Sequence, residues 1–321
     1  MRRIEFWRQR LIGFLFPLES DNWLSALRFG LGLQVVFYCL SIRNDWTYLL
    51  AGNGGLISRN LSETIVALEG PLIPRLGWIV AGGGRFGLSE ESILSIVWYS
   101  LITAACFLLL GLFSRPAAII TWFLHLAAIK SAALVSYGMD NLTTIGLFYL
   151  MLSPVPDQRS FDWQWRKSRP KHRDLLGFWR RVLQLHMCLI YLFGGIAKCL
   201  GPGWWDGSNL WRALIRQPFN MISADVLVRL KYFFPIAGIG ICLLEISYPF
   251  LIWSRRLQRP WLVAILVMHV AIGMAMGMYL FALIMIVLNL AAFGTGILWP
   301  QRKNTDDGAS ASELVACSPN N

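Results

Sequence analysis

Residues 184–207 read QLHMCLIYLFGGIAKCLGPGWWDG, an apolar stretch with polar groups on one side and a lysine near its end. Gln184, Tyr191 and Lys198 are spaced seven residues apart. They fall on nearly one face of a helix, because seven residues are almost two turns. The glycine pair just before the lysine lets a neighbouring helix approach closely. The stretch therefore predicts a membrane helix whose polar face ends in Lys198.

The residues that follow Lys198 predict the end of this helix at a membrane surface. Gly and Pro at positions 201–203 interrupt the helix, and Trp204 and Trp205 suit the amphipathic zone between lipid and water. Lys198 is thereby placed at the end of the helix, near water. Two readings stay open: the lysine snorkels to the interface, or apolar loops desolvate it so that the neutral amine acts as a general base.

The composition is that of an integral membrane protein. Of 321 residues, 56% are hydrophobic and 15% charged, and the mean hydropathy is +0.52, which is too apolar for an ordinary soluble domain. The net charge of +11 accompanies no folded polar module, so we expect no nucleic-acid partner. The six cysteines form no CxxC pair or Cys/His metal spacing, so we predict no disulfide and no metal site.

Eight apolar segments approach the roughly 20 residues needed to cross a bilayer, and we predict an all-α protein with about eight transmembrane helices. Lysine and arginine cluster in the connections that an eight-span topology places on one side, so both termini should be cytoplasmic. The segments are 23–42, 92–113, 117–136, 140–153, 176–199, 233–253, 261–278 and 279–298.

The remaining parts of the chain divide around this membrane domain, which we place at residues 21–300. Residues 1–20 predict an interfacial amphipathic helix, not a cleaved signal, and residues 301–321 a disordered cytoplasmic tail. The loops 43–91 and 200–232 should form a cap on the outer side. Within the first loop, residues 60–82 are amphipathic but broken by prolines, so a re-entrant segment is an alternative.

Ionisable groups inside spans are costly and are site candidates by default. Counting from the segment ends places Lys198 and Asn141 near the outer surface, and Glu245 and His269 near mid-membrane. Tyr191 lies one level below the lysine. We therefore predict an outward-opening pocket lined by these five residues.

Structural roles compete with this pocket. Glu245 could instead neutralise Arg28 or Lys130 inside the bundle. His125 and His186 are expected to be hydrogen-bonded helix contacts.

Four segments of the sequence form a recognisable set: DNWLSALRFGLGLQ (21–34), YGMDNLTTIGLFYLMLSPVPDQRSFD (137–162), QLHMCLIYLFGGIAKCLGPGWWDG (184–207) and HVAIGMAMGMYLFALIMIVLNLAAF (269–293). The most specific element is a tyrosine followed seven residues later by a lysine, then a Gly-rich gap and Trp-x-Asp-Gly. Together these segments resemble the HTTM family, the horizontally transferred transmembrane domains that include the vitamin K-dependent gamma-carboxylases. The resemblance covers most of residues 21–298, in family order.

The resemblance implies a site on the outer side in which Lys198 is the base that deprotonates a hydroquinone lipid, and in which His269 matches a second family position. The family's Asn-His pair is here Asn141-Leu142, and the carboxylase's large lumenal domain has no counterpart in this sequence. Gamma-glutamyl carboxylation is therefore not expected, whereas chemistry on a quinone remains open.

We predict an integral protein of a bacterial inner or plasma membrane whose site faces outward. The first hypothesis is an enzyme using an isoprenoid quinone, with Lys198 and His269 catalytic and with a substrate-binding set of Tyr191, Asn141, Glu245, Trp204 and Trp205. The second is a non-catalytic factor that assists export or maturation of a partner protein of unknown identity. A small-solute transporter is a weaker third, because no inverted repeat is detectable.

Overall fold

The structure, a computed structural model, describes residues 2–52, 54–166 and 173–298, and every regular element in these ranges is helical. The predicted tail and the basic residues Lys167, Arg169 and Lys171 lie outside the described residues. The helices are α1 (Arg2–Leu15), α2 (Asn22–Ser41), α3 (Trp46–Leu50), α4 (Arg59–Glu69), α5 (Leu76–Gly84), α6 (Glu90–Leu110), α7 (Ser114–Ser131), α8 (Gly138–Leu152), α9 (Phe161–Arg166), α10 (Arg173–Leu200), α11 (Pro202–Trp205), α12 (Ser208–Ile215), α13 (Ala224–Arg229), α14 (Phe233–Leu251), α15 (Gln258–Met276), α16 (Tyr279–Asn289), a π-helical turn (Leu290–Gly294) and α17 (Thr295–Leu298).

Five of the described helices, namely α2, α6, α10, α14 and α15, are long and apolar enough to cross a membrane, and α16 with the π-helical turn is a shorter apolar helix. Together they indicate a membrane-embedded protein. Each of the eight predicted segments coincides with a helix whose ends differ from the prediction by a few residues. Many large apolar side chains on these helices face outward, as a lipid-facing surface requires.

Helix α2 forms the centre of one half of the bundle. It packs against α6, α8, α16 and the π-helical turn, while α7 lies between α6 and α8. Trp23, Leu24, Leu27 and Leu31 follow helical spacing and are fully buried. The other half is built on the long pair α10 and α14, with α15 beside α14 and α16.

The predicted outer loops contain short helices that dock on the ends of the long ones. In the first loop, α4 and α5 are separate helices, and both bind the end of α7 through Ser131. Ser62 Oγ donates to the carbonyl of Ser131 at 2.8 Å, and the hydroxyl of Ser131 accepts the backbone N–H of Leu76 at 2.9 Å. In the second loop, α11 and α12 pack on α14.

Candidate functional site

The contact between α10 and α14 depends on glycine. A Cβ added at Gly195 would lie 2.7 Å from the backbone nitrogen of Ile246, closer than a real side chain tolerates, whereas one at Gly194 would lie 3.4 Å from Oε2 of Glu245. The two backbones can approach only because Gly195 has no side chain. This approach brings Glu245 to the level of the polar end of α10.

Lys198 and Glu245 form an ion pair at this crossing. Lys198 Nζ donates to Glu245 Oε2 at 2.6 Å, a charge-assisted hydrogen bond. The lysine side chain is 26% exposed and the glutamate side chain 9%. The lysine therefore retains contact with the surface, while its counter-ion is buried among the helices.

The alternative in which Glu245 neutralises Arg28 or Lys130 is wrong. Arg28 Nε donates to Asp157 Oδ2 at 2.6 Å, and both side chains are fully or almost fully buried. Lys130 pairs with Glu69 of α4. Arg28 and Lys130 thus each have another carboxylate, and Glu245 pairs with Lys198.

Helix α11 covers the lysine. The Lys198 ammonium lies 5.5 Å from the ring centroid of Trp204, in a cation–π arrangement. A Cβ added at Gly238 would lie 2.2 Å from the carbonyl oxygen of Trp204. Helix α11 can therefore pack on α14 only because residue 238 is glycine. Trp205 is exposed, and its indole N–H donates to the carbonyl of Cys199 at 2.8 Å.

One level below, Tyr191 belongs to a buried polar network centred on Asn289. The amide nitrogen of Asn289 donates to the Tyr191 hydroxyl at 2.8 Å, and its amide oxygen accepts from the Tyr248 hydroxyl at 2.8 Å. The two tyrosine rings are 4.2 Å apart at their centroids. Among the described residues, none accepts the hydrogen of the Tyr191 hydroxyl.

Neither Tyr248 nor Asn289 belongs to the pocket predicted from the sequence. A signal for Tyr248 was present, because it follows Glu245 by three residues and therefore shares its helix face. Asn289 shows no comparable spacing to Tyr191, so only the fold brings these two side chains together.

His269 is buried beside Tyr191, with ring centroids 6.0 Å apart. Its Nδ1 lies 2.8 Å from the carbonyl oxygen of Ile265. Since a carbonyl only accepts, Nδ1 carries the proton and Nε2 keeps a lone pair. The structure thus brings Lys198, Glu245, Tyr191 and His269 together around the α10–α14–α15 contact.

Asn141 is not brought into this group. Its side chain is exposed on α8 and makes no hydrogen bond or ion pair with the described residues. The neighbouring Asp140 is buried and accepts the backbone N–H of Tyr137 at 2.9 Å. As expected, the other span histidines make helix contacts: His125 with Thr144 at 3.1 Å and His186 with Tyr149 at 2.6 Å.

A mostly apolar cavity of about 290 Å³ lies near the site, at the ends of α2, α7 and α8 beneath α3. Tyr38, Asp140 and Leu280 are among its lining residues. Phe281, next to Leu280 in the chain, contacts the His269 ring at 5.9 Å between centroids. Leu280 thus lines the cavity while its neighbour Phe281 contacts the His269 ring, and the cavity approaches the size of a small ligand pocket.

Comparison with known proteins adds no assignment. No protein-family model, no curated protein and no solved structure matched the chain. The HTTM resemblance therefore rests on the quoted motifs. The geometry itself offers a paired lysine and carboxylate, a buried histidine with a free ring nitrogen, and a tyrosine hydroxyl whose hydrogen no described residue accepts.

Proposed function

We propose that this chain is a membrane protein of HTTM type that binds a quinone-like isoprenoid lipid and uses Lys198 as a proton acceptor. The observation that carries the proposal is the 2.6 Å pair of Lys198 and Glu245 above the buried Tyr191 and His269. A lysine that has its own carboxylate partner can do more than snorkel to the interface, because the proton of the lysine can be transferred to that carboxylate.

The pair supports base chemistry in two steps. Desolvation by an arriving lipid disfavours two separate charges, so the proton moves from Lys198 to Glu245 along their hydrogen bond. The neutral amine then takes the proton of a phenolic hydroxyl on the ligand. The products are the Lys198 ammonium, a phenolate and a neutral Glu245 that keeps the first proton; the ammonium and the phenolate attract each other in a low-dielectric site.

The lower level of the site suits orientation of such a ligand. Tyr191 is held by Asn289 as an acceptor, so its own hydrogen is free to donate to a ligand oxygen. His269 Nε2 offers an acceptor for a hydroxyl. The substrate-binding role predicted for Asn141 has no geometric support, because that side chain lies exposed on α8.

The proposed topology has eight spans and cytoplasmic termini in a bacterial inner or plasma membrane. It counts α7, α8 and the α16–π–α17 segment as spans in addition to the five long apolar helices. It is supported by the basic residues, which gather in the connections on one side of such a bundle. The Lys198 site then faces outward.

The test is the lipid that accompanies the protein. Protein purified in mild detergent should retain a quinone detectable by mass spectrometry, and Lys198→Met should lower its occupancy while the protein remains folded. Tyr99→Phe, an exposed change on α6 far from these residues in sequence, is a control for handling losses. Bulk phospholipid alone in the wild-type protein would refute the quinone proposal.

A second candidate, the non-catalytic factor for a partner protein, is favoured by apolar side chains on the loop segments. Leu72, Phe86 and Tyr232 are each at least 80% exposed and lie in or beside the short helices. In a functional assay in the host, Leu72→Ser with Phe86→Ser should abolish function if this candidate holds. Retention of activity in Lys198→Met in the same assay would exclude the lysine-base enzyme.

A further inference from the structure

A basic cavity of about 450 Å³ lies at the other end of α10 from Lys198. Four arginines line it: Arg180 on α10, Arg255 and Arg256 between α14 and α15, and Arg259 in the first turn of α15. Phe293 of the π-helical turn forms an apolar part of its wall. The cavity takes no part in the function proposed above.

Arg180 is fixed in position before any ligand arrives. It is buried, its Nε donates to the carbonyl of Ala292 at 3.1 Å, and its Nη1 donates to Glu19 at 2.7 Å. The Ala292 carbonyl lies in the π-helical turn and also accepts from Gln184 at 2.7 Å. π-Turns inside α-helices are frequent at functional sites, and here the turn supplies the carbonyl that aims the guanidinium.

The other three arginines have no counter-ion in the part of the chain that the structure describes. Arg255, Arg256 and Arg259 are exposed, and no carboxylate among the described residues pairs with them or lines the cavity. Like charges gathered on one concave surface repel each other. The first turn of α15 adds the positive end of a 19-residue helix to the same place.

We propose that this cavity binds the phosphate group of an anionic ligand. Guanidinium groups match phosphate oxygens in bidentate geometry, and basic pockets between membrane helices hold lipid headgroups. The source is either a phospholipid headgroup, for which Phe293 provides apolar contact, or a free phosphate. Arg180, already held by Glu19 and the Ala292 carbonyl, adds a guanidinium of fixed orientation to the three exposed ones.

The experiment measures thermal unfolding of the full chain in neutral detergent with phosphatidylglycerol, phosphatidylcholine or inorganic phosphate. The test variant is Arg255→Gln with Arg259→Gln. Its matched control is Arg3→Gln with Arg10→Gln on α1, which removes the same charge from exposed sites. Binding should weaken by about fivefold for each cavity arginine removed, and so roughly 25-fold for the pair.

The arms separate the two sources. A shift with phosphatidylglycerol alone, lost in the cavity variant and kept in the control, assigns the site to a lipid headgroup. A shift with inorganic phosphate that shows the same arginine dependence assigns it to a free phosphate. The proposal is overturned if neither shifts the transition, or if both double variants lose the shift equally. Equal melting of all three proteins without ligand excludes a folding defect.

Discussion

Replacing Lys198 by Met should destabilise the protein more than replacing Glu245 by Gln, although both changes break the same 2.6 Å ion pair. The reason is the difference in exposure. Lys198→Met leaves a carboxylate that is 9% exposed without a partner, whereas Glu245→Gln leaves an ammonium that is 26% exposed and can reach water. A buried charge that has lost its partner costs several kcal/mol, and a charge near the surface costs much less.

We expect a loss of about 3 kcal/mol for Lys198→Met, at the lower end for a buried pair because the lysine is partly exposed and Glu245 can take up a proton. Glu245→Gln should cost about 1 kcal/mol. The double variant carries no charge at the crossing and should lie within about 1 kcal/mol of wild type. The single losses sum to about 4 kcal/mol, so the coupling between the two positions is about 3–5 kcal/mol.

The assay is reversible unfolding in mixed micelles, followed by circular dichroism as a denaturing detergent is added to the four proteins of the cycle. Ser247→Ala, on the same helix as Glu245 and half-buried, controls for a general effect of substitution in α14. Two results would refute the reasoning. One is additivity of the single changes to within about 0.5 kcal/mol; the other is a larger loss for Glu245→Gln than for Lys198→Met.

Three further substitutions test the packing around the site. Gly195→Ala should destabilise the protein by about 1–3 kcal/mol because the added Cβ meets the α14 backbone. Gly194→Ala should destabilise it less in the same unfolding assay. Equal losses for the two variants would contradict this. Gly238→Ala should displace α11 from α14. Lys198, which α11 covers, should then react faster with an acylating reagent, as measured by peptide mass mapping. An unchanged rate would contradict the covering of Lys198 by α11. Asp157→Asn should lower the free energy of unfolding by about 3–5 kcal/mol because it leaves Arg28 charged and buried. An unfolding midpoint at the same denaturant concentration as the wild type would disprove this.

The long helices were predictable because each is a run of apolar residues that must bury its backbone polar groups. The short helices of the outer loops were not, since segments such as Trp46–Leu50 and Pro202–Trp205 carry too few residues for a periodic pattern. They are held by docking instead, for example by Ser131 at the end of α7.

The residues of the candidate site could be predicted more fully than the hydrogen bonds and ion pairs between them. Lys198, Tyr191, Glu245 and His269 were found from polarity and depth in the spans. The partner of Glu245 was not determined: the sequence offered pairing with Arg28 or Lys130 as an alternative, and the actual pairing with Lys198 depends on helix register. That register follows from the close approach at Gly195, which the sequence indicates only as a glycine pair.

The π-helical turn had no sequence signal, because it depends on side chains from another helix. Ala292 lies in an apolar run that reads as ordinary α-helix. Its carbonyl accepts from Arg180 and Gln184 of α10, and neither contact follows from local spacing. Features of this kind become visible only when the two helices are placed side by side.

Helix α10 carries a charged anchor near each end. Eighteen residues separate Arg180 from Lys198, and at 1.5 Å per residue this is about 27 Å along the axis. The hydrocarbon layer of a typical bilayer is about 30 Å thick. The two charges are thus spaced by about one hydrocarbon thickness, and a markedly thicker bilayer would draw one of them into hydrocarbon. The stability of the protein should therefore depend on the thickness of the bilayer that surrounds α10.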